Sequence, residues 1–182
     1  MCPMAEPVRT GYKTIPDTAG AEQWFALRIA PRHEKAASEI LCNKGYETLL
    51  PLYQQRHQYG RRSRSFELPL FPGYLFCRFD STVRLPILTT PGVLRVIGAG
   101  KTPIPVAEEE ILPIQRAMET HISMIPHPYG NQGQRGRITS GPLAGVEGVV
   151  MSTRPPVKLV LSVELLQRSL LLEVDADCVR LT

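Results

Sequence analysis

Seventeen prolines and fourteen glycines are spread along 182 residues, and this punctuation limits the fold more than any other feature of the chain. Each proline removes a backbone donor and each glycine weakens a helix interior. A helical bundle and a coiled coil are therefore excluded, and short strands joined by turns are favoured. The rest of the composition, 43% hydrophobic and 21% charged, suits a chain that builds a packed core. No apolar run approaches the roughly 20 residues of a membrane-crossing helix, and the N-terminus lacks the apolar stretch of a secretory signal. A soluble, cytoplasmic protein is predicted. Cys2, Cys42, Cys77 and Cys178 stand far apart, with no CxxC pair and no histidine at metal-ligand spacing, and read as reduced thiols.

Residues 1–20 contain three prolines and no periodicity and read as a flexible leader. A patterned region, 21–125, follows. Trp24-Phe25-Ala26-Leu27-Arg28-Ile29 reads as a buried strand, and Pro31 as a favoured first helical position. From Arg32 to Asn43 the pairs Ala36/Ile40 and Ala37/Leu41 place a small apolar stripe on a helix that Gly45 stops. Further strands are expected over 46–52, 66–70, 73–79 and 93–97, with a short helix after Asp80. Helical spacing recurs at Ile111, Ile114, Met118 and Ile122, with Pro113 either starting or kinking that helix. The order predicts an α+β fold: an N-terminal α/β sandwich whose helices pack on a mainly antiparallel sheet.

Residues 126–133 carry no charged side chain but two prolines and two glycines, and read as a linker. Over 134–182, five short strand-like runs separated by Gly-Pro, Gly-rich and Pro-Pro turns predict a small C-terminal five-stranded β-barrel. The run 163–170 also fits helical spacing, so strand and helix both stand open there.

No sequence pattern supports catalysis. The chain lacks GxSxG, GxxxxGK[ST], HExxH and GxGxxG motifs. His33 beside Glu34 reads as a solvated pair, since helix neighbours point in different directions. No enzyme, cofactor or metal is expected. The net charge of +4 is concentrated locally, because Arg56, Arg61, Arg62 and Arg64 lie in a stretch, 51–66, with no acid. Such a stretch fits either a loop beside a polyanion or a solvated hairpin tip.

Two constellations remain. Leu70-Phe71-Pro72-Gly73-Tyr74 holds two aromatics beside a rigid turn, where they serve either as core or as anchors for a partner. Gly136 through Val150, with Gly141, Gly145 and Gly148 inside it, allows a tightly curved strand and loop.

With Thr90-Pro91-Gly92-Val93 and the opening strand at Trp24, these motifs resemble the NusG family over residues 22–182: a NusG N-terminal domain followed by a KOW domain. The resemblance implies a transcription elongation factor that binds the clamp helices of the largest bacterial RNA polymerase subunit, as a monomer, and suppresses pausing. It implies docking through Phe71 and Tyr74, with Trp24, Pro72 and Leu94 as neighbours. It also implies non-template or upstream DNA contacts at Arg32, His33, Lys35, Arg56, Arg61, Arg62 and Arg64. The KOW domain would be an adaptor for a small-subunit ribosomal protein or the termination factor Rho, through Gly145, Val146, Glu147, Gly148, Leu165 and Leu166. Val146 stands where the family often has an aromatic, which reduces the area available to Rho. The leucine-rich segment 165–169 resembles the specialised antiterminators of the RfaH and polysaccharide-operon kind. In such proteins the C-terminal domain can refold as a helical pair over the docking aromatics, an arrangement that Gly141, Pro142, Gly145, Gly148, Pro155 and Pro156 oppose here. The alternatives are a general factor coupled to Rho, or an RNA- or ribosome-binding KOW module.

Overall fold

The computed structural model describes residues 22–59, 62–130, 133–152 and 154–182. The leader expected at 1–20 lies outside the described residues. In chain order the elements begin with β1 (Gln23–Ile29), α1 (Glu34–Asn43), β2 (Glu47–Leu49), β3 (Leu52–Tyr59), β4 (Arg62–Pro69), β5 (Tyr74–Phe79), α2 (Leu85–Leu88) and β6 (Val93–Val96). They continue with β7 (Gly98–Ala99), β8 (Thr102–Pro103), α3 (Glu108–Glu119), β9 (Met124–His127), β10 (Gln134–Ile138), β11 (Glu147–Ser152), β12 (Val157–Val163), β13 (Arg168–Val174) and β14 (Val179–Leu181). The chain divides into two compact units. One comprises the described residues up to Leu50 with Gly73–Pro105, the other Pro51–Pro72 with Val106–Thr182.

In the first unit, β1 lies between β5 and β6, and β2 flanks β5, all antiparallel. Phe25, Leu27 and Ile29 of β1 and Leu75, Cys77 and Phe79 of β5 share one core with Ala37 and Leu41 of α1 and Ile87 of α2. The Phe25 and Phe79 rings lie 4.8 Å apart. On the opposite face Trp24, Ala26, Leu49 and Phe76 are also buried. Burial on both faces explains why β1 and β5 read as nearly continuous apolar runs instead of alternating ones. Each large side chain so buried contributes about 1.5–3 kcal/mol.

The second unit holds a hairpin, β3 with β4, the helix α3, and a six-stranded antiparallel sheet in the order β14-β10-β11-β12-β13-β9. All five strands expected after residue 134 are present, so the C-terminal part is strand-rich as predicted. The sixth is a surprise. Residues 126 and 127, read as linker, belong to β9, which pairs with β13 from Met124↔Leu172 to His127↔Ser169. Pro126 fits there because β9 is an edge strand and needs no donor on its outer side. Gly136 and Gly148 face each other across β10 and β11. A Cβ at Gly148 would lie 2.6 Å from the Val160 carbonyl oxygen, so close strand approach requires glycine there. The ambiguous run 163–170 resolves into the end of β12, a single 3₁₀ turn at Glu164–Leu166, a left-handed Gln167 and the start of β13. It is not a helix: Val163 and Leu170 sit in paired strands, and Ser162 and Ser169 hydrogen-bond across them at 2.9 Å. Helix α3 starts at Glu108 and runs through Pro113. Three carboxylates at its positive end and the burial of Ile111, Ile114 and Ala117 offset the lost hydrogen bond.

Burial pushes the Cys77 thiol up to about 12, with neighbouring Cys42 adding to the shift. Since the thiolate is the nucleophile, native protein near neutral pH will leave Cys77 unalkylated by iodoacetamide while half-buried Cys42 and Cys178 react. Urea will make Cys77 reactive. Peptide mass spectrometry reads both, and equal labelling of all three in the native state would mean that the β1–β5 core opens readily.

Candidate functional site

The end of β1 organises the first unit. Ile29 N–H donates to the Gly73 carbonyl and the next amide, Ala30 N–H, donates to the Gly92 carbonyl, both at 2.8 Å. Gly73 and Gly92 are the glycines of the two Pro-Gly turns, and both have positive φ, +79° and +89°. A side chain at either would be strained by that φ, and at Gly92 there is also no room, since a Cβ would meet His33 Cβ at 2.8 Å; at Gly73 a Cβ would displace the tip of Arg28, whose Nη1 lies 2.9 Å away. The second turn is anchored further, because buried Thr90 donates from Oγ1 to Pro86 O and accepts from Lys44 Nζ at 2.8 Å.

Glu34, at the first turn of α1, is buried, and its Oε1 accepts the Gly73 N–H at 2.9 Å. Both backbone polar groups of Gly73 are thus satisfied. This corrects the solvated His33–Glu34 pair: Glu34 turns inward to the Gly73 turn, while His33 stays exposed and donates from Nδ1 to Pro31 O at 3.0 Å. Arg28 lies over the Tyr74 ring, its Cζ 4.7 Å from the centroid, as the pairing Arg28↔Tyr74 of β1 and β5 requires. Sequence reasoning placed Glu34 in solvent and gave Arg28 no role beyond its strand. The available signal for Glu34 was an acid in a helix's first turn, which is common and points to no partner.

The side chains expected to dock divide by burial. Trp24 is 3% and Phe71 2% exposed, so they are already buried within the chain and are not presented on the surface described here. Tyr74 is half-buried, Pro72 is exposed, and Leu94 is 60% exposed on the edge strand β6. A register shift where β6 meets the Arg28–Ile29 step leaves Leu94 without a direct partner on β1.

The expected nucleic-acid residues are equally dispersed. Arg32, left-handed at φ 65°, His33 and Lys35 are exposed on the loop and helix that follow β1. Arg56 and Arg64 are exposed on the hairpin of the other unit, but Arg56 pairs with Ser65 and Arg64 with His57, which puts the two arginines on opposite faces. Arg61 lies outside the described residues, and Arg62 is placed as a backbone position of β4 only.

The expected adaptor loop is only partly on the surface. Gly145 and Glu147 are exposed and Gly148 and Leu165 half-buried, whereas Val146 and Leu166 are 5% and 8% exposed. Val146 turns inward because its amide and carbonyl bind Leu143 O and Ile138 N, which folds the loop onto β10. Glu147 stands beside Arg137 on β10, 4.0 Å from its Nε. Helix α3 borders this loop: Leu112, Pro113 and Arg116 share a groove of about 420 Å³ with Ala144 and Val146. Glu110 Oε1 accepts the Glu164 N–H at 3.2 Å.

Glu34→Ala will orphan the Gly73 N–H and cost about 1–3 kcal/mol, read in urea by the fluorescence of Trp24, the one tryptophan; Glu34→Gln, which keeps an acceptor, will recover most of it. Burial raises the Glu110 carboxyl above its ordinary value of 4.5, although the Glu164 N–H lowers it. A carboxyl with a raised folded-state pKa holds more protons folded than unfolded, so its contribution weakens as pH rises through and above that ordinary value. The urea midpoint of Glu110→Gln relative to wild type, followed on β12 amide signals, will therefore fall as pH is lowered toward that range. A pH-independent difference would remove Glu110 from the linkage.

Comparison with known proteins places this geometry. Residues 22–115 match the family model described as transcription termination factor nusG. The transcription termination/antitermination protein NusG of Helicobacter pylori strain J99 is 31% identical over 140 residues, covering 70% of this chain and 79% of that protein. The protein of that name from Thermus thermophilus is 25% identical over 153 residues, covering 73% and 83%. A solved structure titled "Domain interaction in Thermotoga maritima NusG" shares the fold with TM-score 0.56 at 21% identity, covering 87% of this chain and 96% of that one. The family model over residues 22–115 and the 31% identical relative show that this chain belongs to the NusG family, whose members are transcription factors and not enzymes.

Proposed function

We propose that this protein is an elongation factor that binds the clamp helices of bacterial RNA polymerase, suppresses pausing and promotes antitermination. Leu94 carries the reading: in a unit whose β1 and β5 core residues are buried, it stands 60% exposed on the edge strand β6, and the comparably exposed Val83 and Leu85 lie off the sheet, so a partner laid on the sheet edge would meet Leu94. Tyr74, stiffened by Arg28 and by the hydrogen-bonded turn before it, is the second anchor. Bridging the clamp favours the elongating state over the paused one through differential binding, with no chemical step.

In this reading residues 21–125 supply polymerase binding, with Trp24 supporting the surface from within the first unit, and 134–182 act as the adaptor. Arg32, His33 and Lys35, and separately Arg56 and Arg64, hold DNA phosphates and give salt-dependent affinity with little sequence preference. The burial of Val146 supports a factor that opposes termination, since the loop position expected to meet Rho presents little apolar area. The protein acts in the cytoplasm as a monomer; among the described residues no helix is long and apolar enough to cross a membrane.

The test is co-migration with a reconstituted bacterial elongation complex. Leu94→Ser will fold normally, as an exposed substitution should, and will lose binding, as will Tyr74→Ala. Phe71→Ala removes a buried ring and costs about 3–5 kcal/mol of stability, so its failure would report folding. Undiminished binding by both folded surface variants would overturn the proposed anchors, and absence of wild-type binding would favour a KOW-type RNA- or ribosome-binding role.

A further inference from the structure

Strands β3 and β4 pair only with each other, and their register gives the ribbon two unlike faces. Phe66 lies opposite Gln55 and Leu68 opposite Tyr53, and Arg64 is two residues before Phe66. Tyr53, Gln55, Arg64, Phe66 and Leu68 therefore share one face. The other face holds Gln54, Arg56, Ser65 and Glu67, and along it the Ser65 hydroxyl donates to Gln54 Oε1 at 2.6 Å. Among the described residues the first face combines aromatic rings with a cation and has no acid, whereas on the second the cation Arg56 shares the surface with Glu67. Exposure rises along the first face. Leu68 and Tyr53 are half-buried, Phe66 is 41% exposed and Arg64 is exposed, so the Phe66 ring stands where the ribbon emerges into solvent.

A single exposed apolar side chain is ordinary on a protein surface. Phe66 is distinguished by its neighbours: Arg64 follows on the same face two strand rises away, roughly 7 Å, within the acid-free stretch 51–66. A flat apolar ring beside a cation suits a ligand that places a flat aromatic group beside an anion, and every nucleotide of a nucleic acid does so. A duplex keeps its bases stacked on one another and withholds them from a side chain. A single strand leaves them free to stack on an aromatic ring. A protein partner would need further apolar surface around the ring to exclude water, but polar Gln55 lies directly opposite Phe66 and charged Arg64 lies beside it.

We propose that the Phe66 face of the β3–β4 hairpin is a stacking platform for single-stranded nucleic acid, in which Phe66 takes a base and Arg64 holds the adjoining phosphate. This rests on the nucleic-acid part of the proposed function and deepens it, selecting one face of the hairpin, single strand over duplex, and an uncharged residue that charge clustering does not reveal. Arg56, on the other face, contributes through charge alone. Binding is tolerant of sequence, because every base has a π-face.

The test uses the full chain and fluorescence anisotropy with a labelled mixed-sequence single-stranded DNA of about 15 nucleotides, a length within the usual single-strand site sizes, with the RNA of the same sequence and with the DNA duplex. Wild type will bind a single strand more tightly than the duplex at equal salt. Phe66→Leu keeps apolar bulk and, at a surface position, the fold; it will weaken single-strand binding by at least about fivefold and leave duplex binding and the salt slope unchanged. Phe66→Trp will restore binding, and single strands will quench its added emission, since Trp24 is buried. Arg64→Gln will reduce the slope of log affinity against log salt by about 0.7, the increment for one lost phosphate contact. Arg56→Gln will lower affinity for single strand and duplex alike. A wild type without single-strand preference, or a Phe66→Leu chain that binds single strands undiminished, would overturn the platform. Loss of the preference in Arg56→Gln to the extent seen in Phe66→Leu would overturn the choice of face. Tighter binding of RNA than of DNA, or the reverse, would support the platform and identify its strand. Co-migration with the elongation complex is scored separately, so a chain that joins the complex and shows no effect at Phe66 loses the platform and retains the docking surface.

Discussion

Two consecutive amides, Ile29 and Ala30, bind the carbonyls of Gly73 and Gly92, and the geometry of the first unit follows from that pair of hydrogen bonds. They tie the turns that precede β5 and β6 to the end of the strand lying between those two. Because the attachment is through main chain, it depends on glycine's positive φ at 73 and 92 and not on the identity of the flanking side chains. The side chains at 74 and 94 are therefore free to vary while the turns keep their positions. Glu34 completes the arrangement by taking the remaining Gly73 N–H, which would otherwise be a buried donor without a partner.

The same logic explains what was legible in the sequence. Pro72-Gly73 and Pro91-Gly92 are local signals, and β1, β5 and the five C-terminal strands are short apolar runs bounded by turn residues, so each was readable from its own neighbourhood. The hairpin β3–β4 was harder to read, since Gln54, Gln55, Arg56 and Gln58 make both faces polar and leave no period to detect. Strand β9 was hidden by Pro126, which reads as a break unless the strand is known to lie at an edge. The partners of Glu34 and Arg28 are 39 and 46 residues away, so no spacing rule reaches them.

Burial decides more about function than residue type does. Phe71 and Tyr74 are both aromatics of one short motif, yet one is enclosed and the other half-exposed. Val146 and Leu166 look like adaptor residues in the sequence but are used inside the second unit, where the strand pairing of β10, β11, β12 and β13 needs apolar side chains on its inner face. What packing leaves exposed includes Leu94, displaced by a register shift, and charged residues at strand ends, and the proposed docking draws on that remainder because the buried aromatics are already used inside the chain.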